Sequence, residues 1–261
     1  MREAKSYITT PTERMRRASS SRSRFPEMDF VILCGGLGTR LRTTLPNMPK
    51  ALAPIAGTPF LDILLHHLFK AGFKRIILAV GHLQNPIISR YGNDSRILFA
   101  KEREPLGTGG AVRNARRLIK SPHFFVANGD TFSDADYQNF FTVHKTKGGI
   151  VTMGITRAGR RTDAGNILTD ASGRILSFKE KRGARSRSGI SAGLYCMRRE
   201  VFDVMPKRKR FSLEEEVFSS LARQGVLFGV PIKREAIDIG TPARYARAKR
   251  ILKKHRPSSL R

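Results

Sequence analysis

The stretch Val31-Ile-Leu-Cys-Gly-Gly-Leu-Gly-Thr-Arg-Leu-Arg42, followed by Pro49-Lys50, decides how the rest of this chain is interpreted. An apolar run that favours a β-strand ends here in a glycine-rich turn. Glycine lets backbone N–H groups close on an anion because no Cβ stands in the way. Arg40 and Lys50 add positive charge for a polyphosphate. The stretch therefore predicts a nucleotide-phosphate site directly after the first strand.

The spacing excludes two common phosphate loops. A Walker-type loop ends in Gly-Lys-Ser/Thr, whereas this one ends in Gly38-Thr39-Arg40. A dinucleotide-binding fingerprint needs a third glycine that opens a helix, and Leu41 follows here without one. The loop belongs to another class of nucleotide-binding protein.

Composition and charge limit the kinds of partner that this protein can bind. No apolar run approaches the roughly 20 residues of a membrane span, so no membrane insertion is predicted. Two cysteines, Cys34 and Cys196, are too few for a disulfide framework and favour a reducing, cytoplasmic compartment. The net charge of +28 is spread along the chain, and only 8% of residues are aromatic, which argues against nucleic acid as the partner. A basic surface that steers anionic substrates remains open.

Three segments are predicted along the chain. Residues 1–27 form an Arg/Ser-rich tract without hydrophobic periodicity, which predicts disorder. The tract resembles a transit peptide, or it lies upstream of a true start at Met28, which we favour. Residues 28–254 form the folded domain, and residues 255–261 form a basic tail.

Strands and helices alternate in the first half of the domain, which predicts an α/β fold with a mostly parallel central sheet. The carboxyl ends of parallel strands meet at one edge, so the loops after Leu33, Val80 and Ala127 should gather there, with Gly81 among them. The predicted strands are 30–33, 75–80, 97–100 and 124–127, and the predicted helices are 60–71, 109–119 and 137–147.

The second half has a different pattern. Strands are predicted over 151–156, 166–169, 175–178 and 190–197. The turn Asp170-Ala-Ser-Gly173 joins two of them as a hairpin. Ser212-Leu-Glu-Glu215 fits a capping box and begins a helix that runs through Leu221. Thr241-Pro242 begins the last helix, with Thr as N-cap and Pro at the first position.

Two isolated carboxylates lie in notable settings. Asp130 follows a strand directly in Asn128-Gly-Asp130, a position suited to binding a divalent cation. Asp238 stands between Ile237 and Ile239, where an unpaired charge would be costly to bury and a metal ion would compensate it. Taken singly, each aspartate also fits an ordinary turn or helix start.

The order of these motifs resembles the signature of the sugar-phosphate nucleotidylyltransferases, over nearly all of residues 28–241. The resemblance implies a Rossmann-like three-layer fold with a small β-rich sugar-binding insertion. It also implies a Mg²⁺-dependent transfer of a nucleoside monophosphate from an NTP to a sugar 1-phosphate, with release of pyrophosphate. The shared motifs are Gly35-Gly-x-Gly-Thr-Arg-Leu41, Pro49-Lys50, Gly57-x-Pro59, Glu104-Pro-Leu-Gly-Thr-Gly-Gly-Ala111, Asn128-Gly-Asp130, Phe178-x-Glu-Lys181 and Asp238-Ile-Gly-Thr-Pro242.

The resemblance also implies roles. Arg40 would neutralise the departing pyrophosphate, Lys50 would contact the α-phosphate, and Asp130 with Asp238 would hold Mg²⁺. No general base is needed, because the attacking phosphate oxygen is already anionic. The nucleotide-binding residues would be Cys34, Gly35, Gly36, Gly38, Thr39, Gly81, Glu102, Glu104, Gly107 and Thr108. The sugar-phosphate-binding residues would be Gly165, Glu180, Lys181 and Ser191.

The segment Lys101-Glu-Arg-Glu-Pro105 contains the candidate residues for recognising the base of the nucleotide. Guanine offers N1–H and N2–H₂ donors, which one carboxylate can accept together. Glu102 or Glu104 could therefore read guanine, and GTP is the favoured NTP. A solvated run of charges is the alternative.

Within the family the chain is most similar to the guanylyltransferases of heptose 1-phosphate, which supply activated sugar for surface glycans such as lipopolysaccharide or capsule. Mannose 1-phosphate guanylyltransferases and N-acetylmuramate 1-phosphate uridylyltransferases are near alternatives. Cys34 replaces the usual alanine. Ser191 replaces the usual asparagine, and because serine has fewer hydrogen-bonding groups, the identity of the sugar stays open. Two alternatives make the protein something other than an enzyme: a catalytically inactive regulatory subunit, or a nucleic-acid-binding protein. A homo-oligomer is compatible with the sequence.

Overall fold

The computed structural model describes residues 25–36, 38–41, 44–157, 166–179 and 189–255. Its helices are α1 (Phe60–Ala71), α2 (Gln84–Tyr91), α3 (Gly107–Asn114), α4 (Tyr137–Lys147), α5 (Val201–Val204), α6 (Ser219–Arg223) and α7 (Pro242–Leu252). Its strands are β1 (Phe25–Leu33), β2 (Pro54–Ile55), β3 (Thr58–Pro59), β4 (Phe73–Val80), β5 (Ile97–Lys101), β6 (His123–Asn128), β7 (Thr131–Phe132), β8 (Val151–Arg157), β9 (Asn166–Thr169), β10 (Ile175–Lys179), β11 (Gly189–Arg198), β12 (Leu227–Pro231) and β13 (Ile237–Asp238).

The predicted α/β fold with a mostly parallel central sheet is confirmed. Strands β6, β1, β4 and β5 lie side by side and parallel, and β11 pairs antiparallel with β6. The hairpin of β9 and β10 extends the sheet beyond β11, and β8 with β12 branches from it. Two apolar cores lie on the two faces of this sheet, as a three-layer arrangement requires.

Helices α1 and α4 have the predicted bounds, because both end at a glycine in the left-handed conformation. Gly72 (φ 101°) follows α1, and Gly148 (φ 65°) follows α4. Within the described part of the chain, no helix is long and apolar enough to span a bilayer.

Several elements differ from the prediction. The helix expected over 109–119 begins at Gly107 and ends at Asn114, after which the chain tightens into the 3₁₀ turn Ala115–Arg117. Helix α2 was not predicted. It begins after Leu83, whose positive φ of 56° is unusual for a non-glycine residue and gives no sequence signal.

The helix expected after Ser212 begins as the π-helical segment Leu213–Phe218. The Ser212 side chain accepts a hydrogen bond from the Glu215 amide at 3.2 Å, as a capping residue does. In a capping box, the glutamate side chain in turn accepts from the Ser212 amide. The predicted acceptor is Glu215, but Ser212 N donates to Glu216 Oε1 at 3.1 Å, one residue later. The wider π turn accounts for this shift.

Strand β1 begins at Phe25, before both the predicted strand and the predicted domain boundary at Met28. Phe25 is 4% exposed, and its ring stacks on Phe73 with 4.7 Å between centroids. Residues 25–27 therefore belong to the folded sheet, and a protein that starts at Met28 lacks a core side chain.

We expect a protein that starts at Met28 to be less stable than one that starts at Phe25, by about 2–4 kcal/mol in the free energy of unfolding, since a buried phenylalanine is lost. Denaturant titration of both proteins, with the full chain as control, measures the difference. Equal unfolding midpoints would show that Phe25 adds nothing to the core.

A buried histidine makes stability depend on pH. His144 on α4 is 1% exposed; its Nδ1 lies 2.8 Å from Thr152 Oγ1, and its Nε2 lies 3.1 Å from His123 Nδ1. Burial, together with the positive potential of His123 and Arg198, lowers the pKa of His144 to about 4. The unfolded chain therefore binds a proton near pH 6.5, whereas the folded chain does not.

Stability is thus present above about pH 6.5 and is lost as the pH falls toward 4. We expect His144→Gln to reduce the loss of unfolding free energy between pH 7 and pH 5 by about 1–2 kcal/mol. Urea unfolding at both pH values measures it. His66→Gln on α1 is the matched control, and an unchanged pH dependence in His144→Gln would contradict this account.

Candidate active site

The predicted gathering of loops at one sheet edge is confirmed. Cys34 N donates to Ala79 O at 2.8 Å as the chain leaves β1, and Glu102 N donates to Val80 O at 2.8 Å as it leaves β5. Gly129 N donates to Leu33 O at 3.0 Å after β6. The carboxyl ends of β1, β4, β5 and β6 therefore form one rim.

Two glycines on this rim make room for a carboxylate. A Cβ on Gly35 would lie 2.7 Å from Glu102 Oε1, and one on Gly81 would lie 3.3 Å from Glu102 Oε2. Any larger residue at position 35 would displace the Glu102 side chain. Gly36 has no atom within 4 Å of its Cβ position, so it opens onto free space.

A cavity of about 330 Å³ lies beside these residues. Its lining contains two glycines of the glycine-rich loop together with Glu102 and Asp130, so one cavity joins that loop to two acids. Its residues are Leu33, Gly35, Gly36, Glu102, Pro105, Leu106, Gly107, Thr108, Ala111, Asn128, Asp130 and Arg210.

The structure separates the two glutamates that the sequence left as alternatives. Glu102 is 8% exposed and accepts one hydrogen bond, from Leu106 N at 3.3 Å. Burial raises the pKa of Glu102, against the opposing effect of that bond. Glu104 lies on the surface with 59% of its side chain exposed, and it pairs with Lys209 at 3.1 Å. Only Glu102 lies in this cavity.

Gly107 and Thr108 line the cavity, but their own contacts are made to the chain around residues 211–214. Gly107 has a φ of 71°, and a Cβ there would lie 2.5 Å from Phe211 O. Thr108 Oγ1 donates to Glu214 Oε2 at 2.8 Å and accepts from Leu213 N at 2.9 Å. These two residues hold the cavity wall together.

Lys50 and Asp130 form an ion pair at the end of the cavity. The Lys50 ammonium donates to Asp130 Oδ2, and the two side chains are 16% and 34% exposed. Burial alone would raise the pKa of Asp130, but the Lys50 charge and the hydrogen bonds from Lys50 and Thr131 outweigh it and lower that pKa. Asp130 therefore stays ionised.

A short β-ribbon brings the second predicted carboxylate to the same place. Strand β13 pairs antiparallel with β7, so that Asp238 lies opposite Thr131, and Ile239 N donates to Asp130 O at 3.0 Å. A Cβ on Gly240 would lie 2.8 Å from Asp238 Oδ1 and 3.5 Å from Lys50 Nζ. Lys50 thus lies close to both aspartates.

Asp238 accepts from Gly240 N at 3.0 Å and from Arg244 Nη1 at 3.4 Å. No group of three His, Cys, Asp or Glu side chains that could hold a metal ion occurs among the described residues. Two carboxylates are nevertheless the usual protein contribution to a Mg²⁺ site that is completed by substrate phosphates and water. The residues present fit such a site.

Thr39 and Arg40 lie on the 3₁₀ turn Thr39–Leu41, which buried Leu41 fixes to the core, and both are exposed. Gly38 before it has a φ of 62°, which favours glycine. Cys34 is 7% exposed, and a Cβ on Gly129 would lie 2.9 Å from its Sγ. Burial first, then the charges of Asp130 and Glu102, raise the pKa of the Cys34 thiol, so this cysteine is a packing residue.

Ser191 belongs to a polar network that the sequence did not reveal. Its Oγ lies 3.1 Å from Tyr195 Oη and accepts from Gly193 N at 3.1 Å. Tyr195 Oη donates to Glu214 Oε1 at 3.2 Å, so Glu214 links Ser191 to Thr108. Three further predicted residues, Gly165, Glu180 and Lys181, lie outside the described residues.

Sequence reasoning missed Asn128 and Arg210, which line the cavity, and Tyr195 and Glu214, which belong to the polar network around Ser191. Glu214 was treated as part of a capping pattern, since its partner Thr108 is 106 positions away. The run Lys207-Arg-Lys-Arg210 was a usable signal for Arg210, because four adjacent cations are a candidate contact for an anionic ligand.

Comparison with known proteins gives consistent matches. The nucleotidyl transferase family model matches residues 30–255. D-glycero-alpha-D-manno-heptose 1-phosphate guanylyltransferase of Aneurinibacillus thermoaerophilus is 32% identical over 228 residues, which cover 86% of this chain and 98% of that protein. Mannose-1-phosphate guanylyltransferase of Mycobacterium tuberculosis is 33% identical over 227 residues, and the match covers 85% of this chain and 63% of that longer protein.

Among solved structures, HddC from Yersinia pseudotuberculosis is 32% identical, with a TM-score of 0.75 and coverage of 85% of this chain and 98% of that chain. HddC complexed with GMP-PN has a TM-score of 0.73 at the same identity and coverage. With the family model matched over residues 30–255 and these identities over most of its length, the chain belongs to the nucleotidyl transferase family.

Proposed function

We propose that this protein is a sugar 1-phosphate guanylyltransferase, with GTP as the nucleotide and a heptose 1-phosphate as the favoured sugar. The observation that carries the proposal is the buried Glu102 carboxylate, which lies against Gly35 and Gly81 in the same cavity as Asp130. Relatives that match this chain at 32–33% identity are named guanylyltransferases of heptose 1-phosphate and of mannose 1-phosphate. Mannose 1-phosphate is therefore the second candidate sugar.

The carboxylate fits guanine for a chemical reason. The oxygens of a buried carboxylate need hydrogen-bond donors, and Glu102 receives one from Leu106 N. The N1–H and N2–H₂ groups of guanine supply two more on one edge. Adenine and the pyrimidines lack that pair of adjacent donors, so they would leave the carboxylate underpaired.

The transfer joins an oxygen of the sugar phosphate to the α-phosphorus of GTP and breaks the bond to pyrophosphate, which leaves with the electron pair. The nucleophile is already anionic, so the residues position it and neutralise charge rather than accept a proton. Lys50, which pairs with Asp130, would exchange that partner for an α-phosphate oxygen. Arg40 and the amides around Gly36 and Gly38 would contact the departing phosphates.

The family implies Mg²⁺, and Asp130 with Asp238 would hold it. When bound, Mg²⁺ supplies positive charge to phosphoryl oxygens. Gly165, Glu180 and Lys181 remain predicted sugar-phosphate residues. The Ser191 hydroxyl would contact the sugar, and the buried Tyr195 hydroxyl, linked to Glu214, would hold it in place. The product would supply activated sugar to surface glycan synthesis, and the free cysteines, Cys34 and Cys196, fit the cytoplasm.

The function is tested by pyrophosphate release with Mg²⁺, with GTP, UTP, CTP, dTTP and ATP each combined with the 1-phosphates of heptose, mannose, glucose and N-acetylmuramate. We expect selective turnover of GTP with heptose 1-phosphate. Turnover of another nucleotide and sugar pair would overturn our assignment of the base or of the sugar. No turnover from folded protein that binds nucleotide would favour a regulatory, non-catalytic subunit.

We expect Glu102→Gln to lower kcat/KM for GTP about 10- to 100-fold, because glutamine has one acceptor where guanine presents two donors and the charge-assisted bonds are lost. Inosine triphosphate lacks the N2 amino group, so wild-type protein should prefer GTP to it, and Glu102→Gln should narrow that preference. Glu104→Gln is the matched control and should resemble wild type. An unchanged preference in Glu102→Gln would remove this residue from base recognition.

We expect Asp130→Asn and Asp238→Asn each to lower kcat at least about 100-fold at saturating Mg²⁺, because each removes a charge that holds the cation beside the reacting phosphate. Pyrophosphate release measures kcat, and circular dichroism checks the fold. Asp134→Asn, an acid four residues beyond Asp130 that pairs with Arg234 at 2.5 Å, controls for charge. Activity within a few-fold of wild type in either variant would exclude that aspartate from the site.

A further inference from the structure

Four consecutive cations, Lys207-Arg-Lys-Arg210, stand at the edge of the candidate active site. Arg210 lines the cavity that contains Glu102 and Asp130. Lys209 lines an adjoining cavity of about 320 Å³ whose walls also contain Lys101 and Arg103. The two cavities share Glu102 and Leu106, so the basic segment forms part of the rim through which an anion reaches the site.

The backbone of this segment is seated on helix α3. A Cβ on Gly109 would lie 2.3 Å from the Phe211 ring, and one on Gly110 would lie 2.3 Å from Lys209 O. Gly109 N donates to Phe211 O at 3.0 Å, and Phe211 N donates to Leu106 O at 3.0 Å. Gly107, Gly109 and Gly110 therefore allow this segment to pack closely on the start of helix α3.

One side chain fastens the segment from the other side. The Arg113 guanidinium donates through Nη1 to Pro206 O and through Nη2 to Arg208 O. The same guanidinium lies over the Phe211 ring, with Cζ 4.8 Å from the centroid. The planar fork reaches two carbonyls and a ring at once, which a lysine ammonium cannot do.

Fastening is needed because adjacent cations repel one another. Arg208 pairs with Glu216, and Lys209 pairs with Glu104 at 3.1 Å, with 82% of the Lys209 side chain exposed. Such exposed pairs contribute little stability. Arg113 instead holds the backbone at Pro206 and Arg208, and Arg208 Nε donates to Arg210 O at 3.2 Å, so the chain that leads to Arg210 is fastened through Arg113.

We propose that Arg113 is a positioning residue that holds Arg210 at the cavity, where Arg210 binds the polyphosphate of the incoming nucleotide. The inference rests on the proposed function for the identity of that anion. A fixed positive charge at the mouth of a cavity raises the local concentration and the association rate of a polyanion. Arg113 itself lines the adjoining cavity and not the cavity that contains Asp130, so its effect on a polyphosphate in that second cavity passes through Arg210.

The test is a double-mutant cycle in the full chain, with Arg113→Met, Arg210→Gln and the double variant. The probe is inorganic tripolyphosphate, and its Kd is measured by calorimetry at several salt concentrations. We expect each single variant to weaken binding about tenfold and to flatten the salt dependence, and the double variant to be no weaker than Arg210→Gln alone. For GTP, the loss should appear in KM rather than in kcat.

Hydrogen exchange and two more variants separate a positioning role of Arg113 from a simple loss of fold or charge. Hydrogen exchange at the Phe211 amide should quicken in Arg113→Met and not in Arg210→Gln. Arg113→Lys, which can reach one carbonyl, should give an intermediate Kd if Arg113→Met does not fold. Arg116→Met is the charge-matched control, because that guanidinium lies over Phe202 at 5.3 Å, and it should bind as wild type.

Multiplicative effects in the double variant, wild-type binding by Arg113→Met, or no binding of tripolyphosphate by the wild type would each overturn the proposal. Wild-type protein that binds tripolyphosphate through Arg113 and Arg210, yet releases no pyrophosphate with any nucleotide and sugar, would instead refute the proposed function and leave the positioning role intact.

Discussion

The ion pair of Lys50 with Asp130, beside Asp238, is the interaction on which the rest of the site depends. Two aspartates that lie close together repel each other and need cations nearby. Lys50 pairs with Asp130 and lies near Asp238, which Arg244 also contacts at 3.4 Å. The β7–β13 ribbon is what brings residues 108 positions apart to this point, because Ile239 N bonds to Asp130 O. In the proposed reaction, this ammonium would leave Asp130 to a metal ion and would itself bind a phosphate.

Two glycine-rich stretches look alike in the sequence and differ in the fold. Gly35 and Gly81 leave space for a side chain, Glu102, and Gly36 leaves space for a ligand. Gly109 and Gly110 leave space for the chain around residues 209–211. The first kind keeps the cavity open, whereas the second closes its wall, and together they determine which charges the cavity presents.

Elements with local signals could be predicted from the sequence. Helix α1 has an apolar stripe and a terminal glycine, and the parallel sheet follows from alternating strands and helices. Phe25 was missed for two reasons: it follows a basic tract, and its partner, Phe73, lies far along the chain. Glu102 could not be told from Glu104 by spacing, since burial decides between them. Glu214 and Arg113 act through contacts about 100 positions away, which no local pattern records.

The claim that Asp130 and Asp238 form a cation site blocked by Lys50 is tested most directly by Mn²⁺ binding without nucleotide, measured by electron paramagnetic resonance. Mn²⁺ replaces Mg²⁺ at oxygen sites. We predict that Lys50→Met binds Mn²⁺ at least about tenfold more tightly than wild type, since the competing charge that pairs with Asp130 is removed, and that adding Asp238→Asn abolishes the gain. Equal Mn²⁺ affinity in Lys50→Met and wild type would contradict this account.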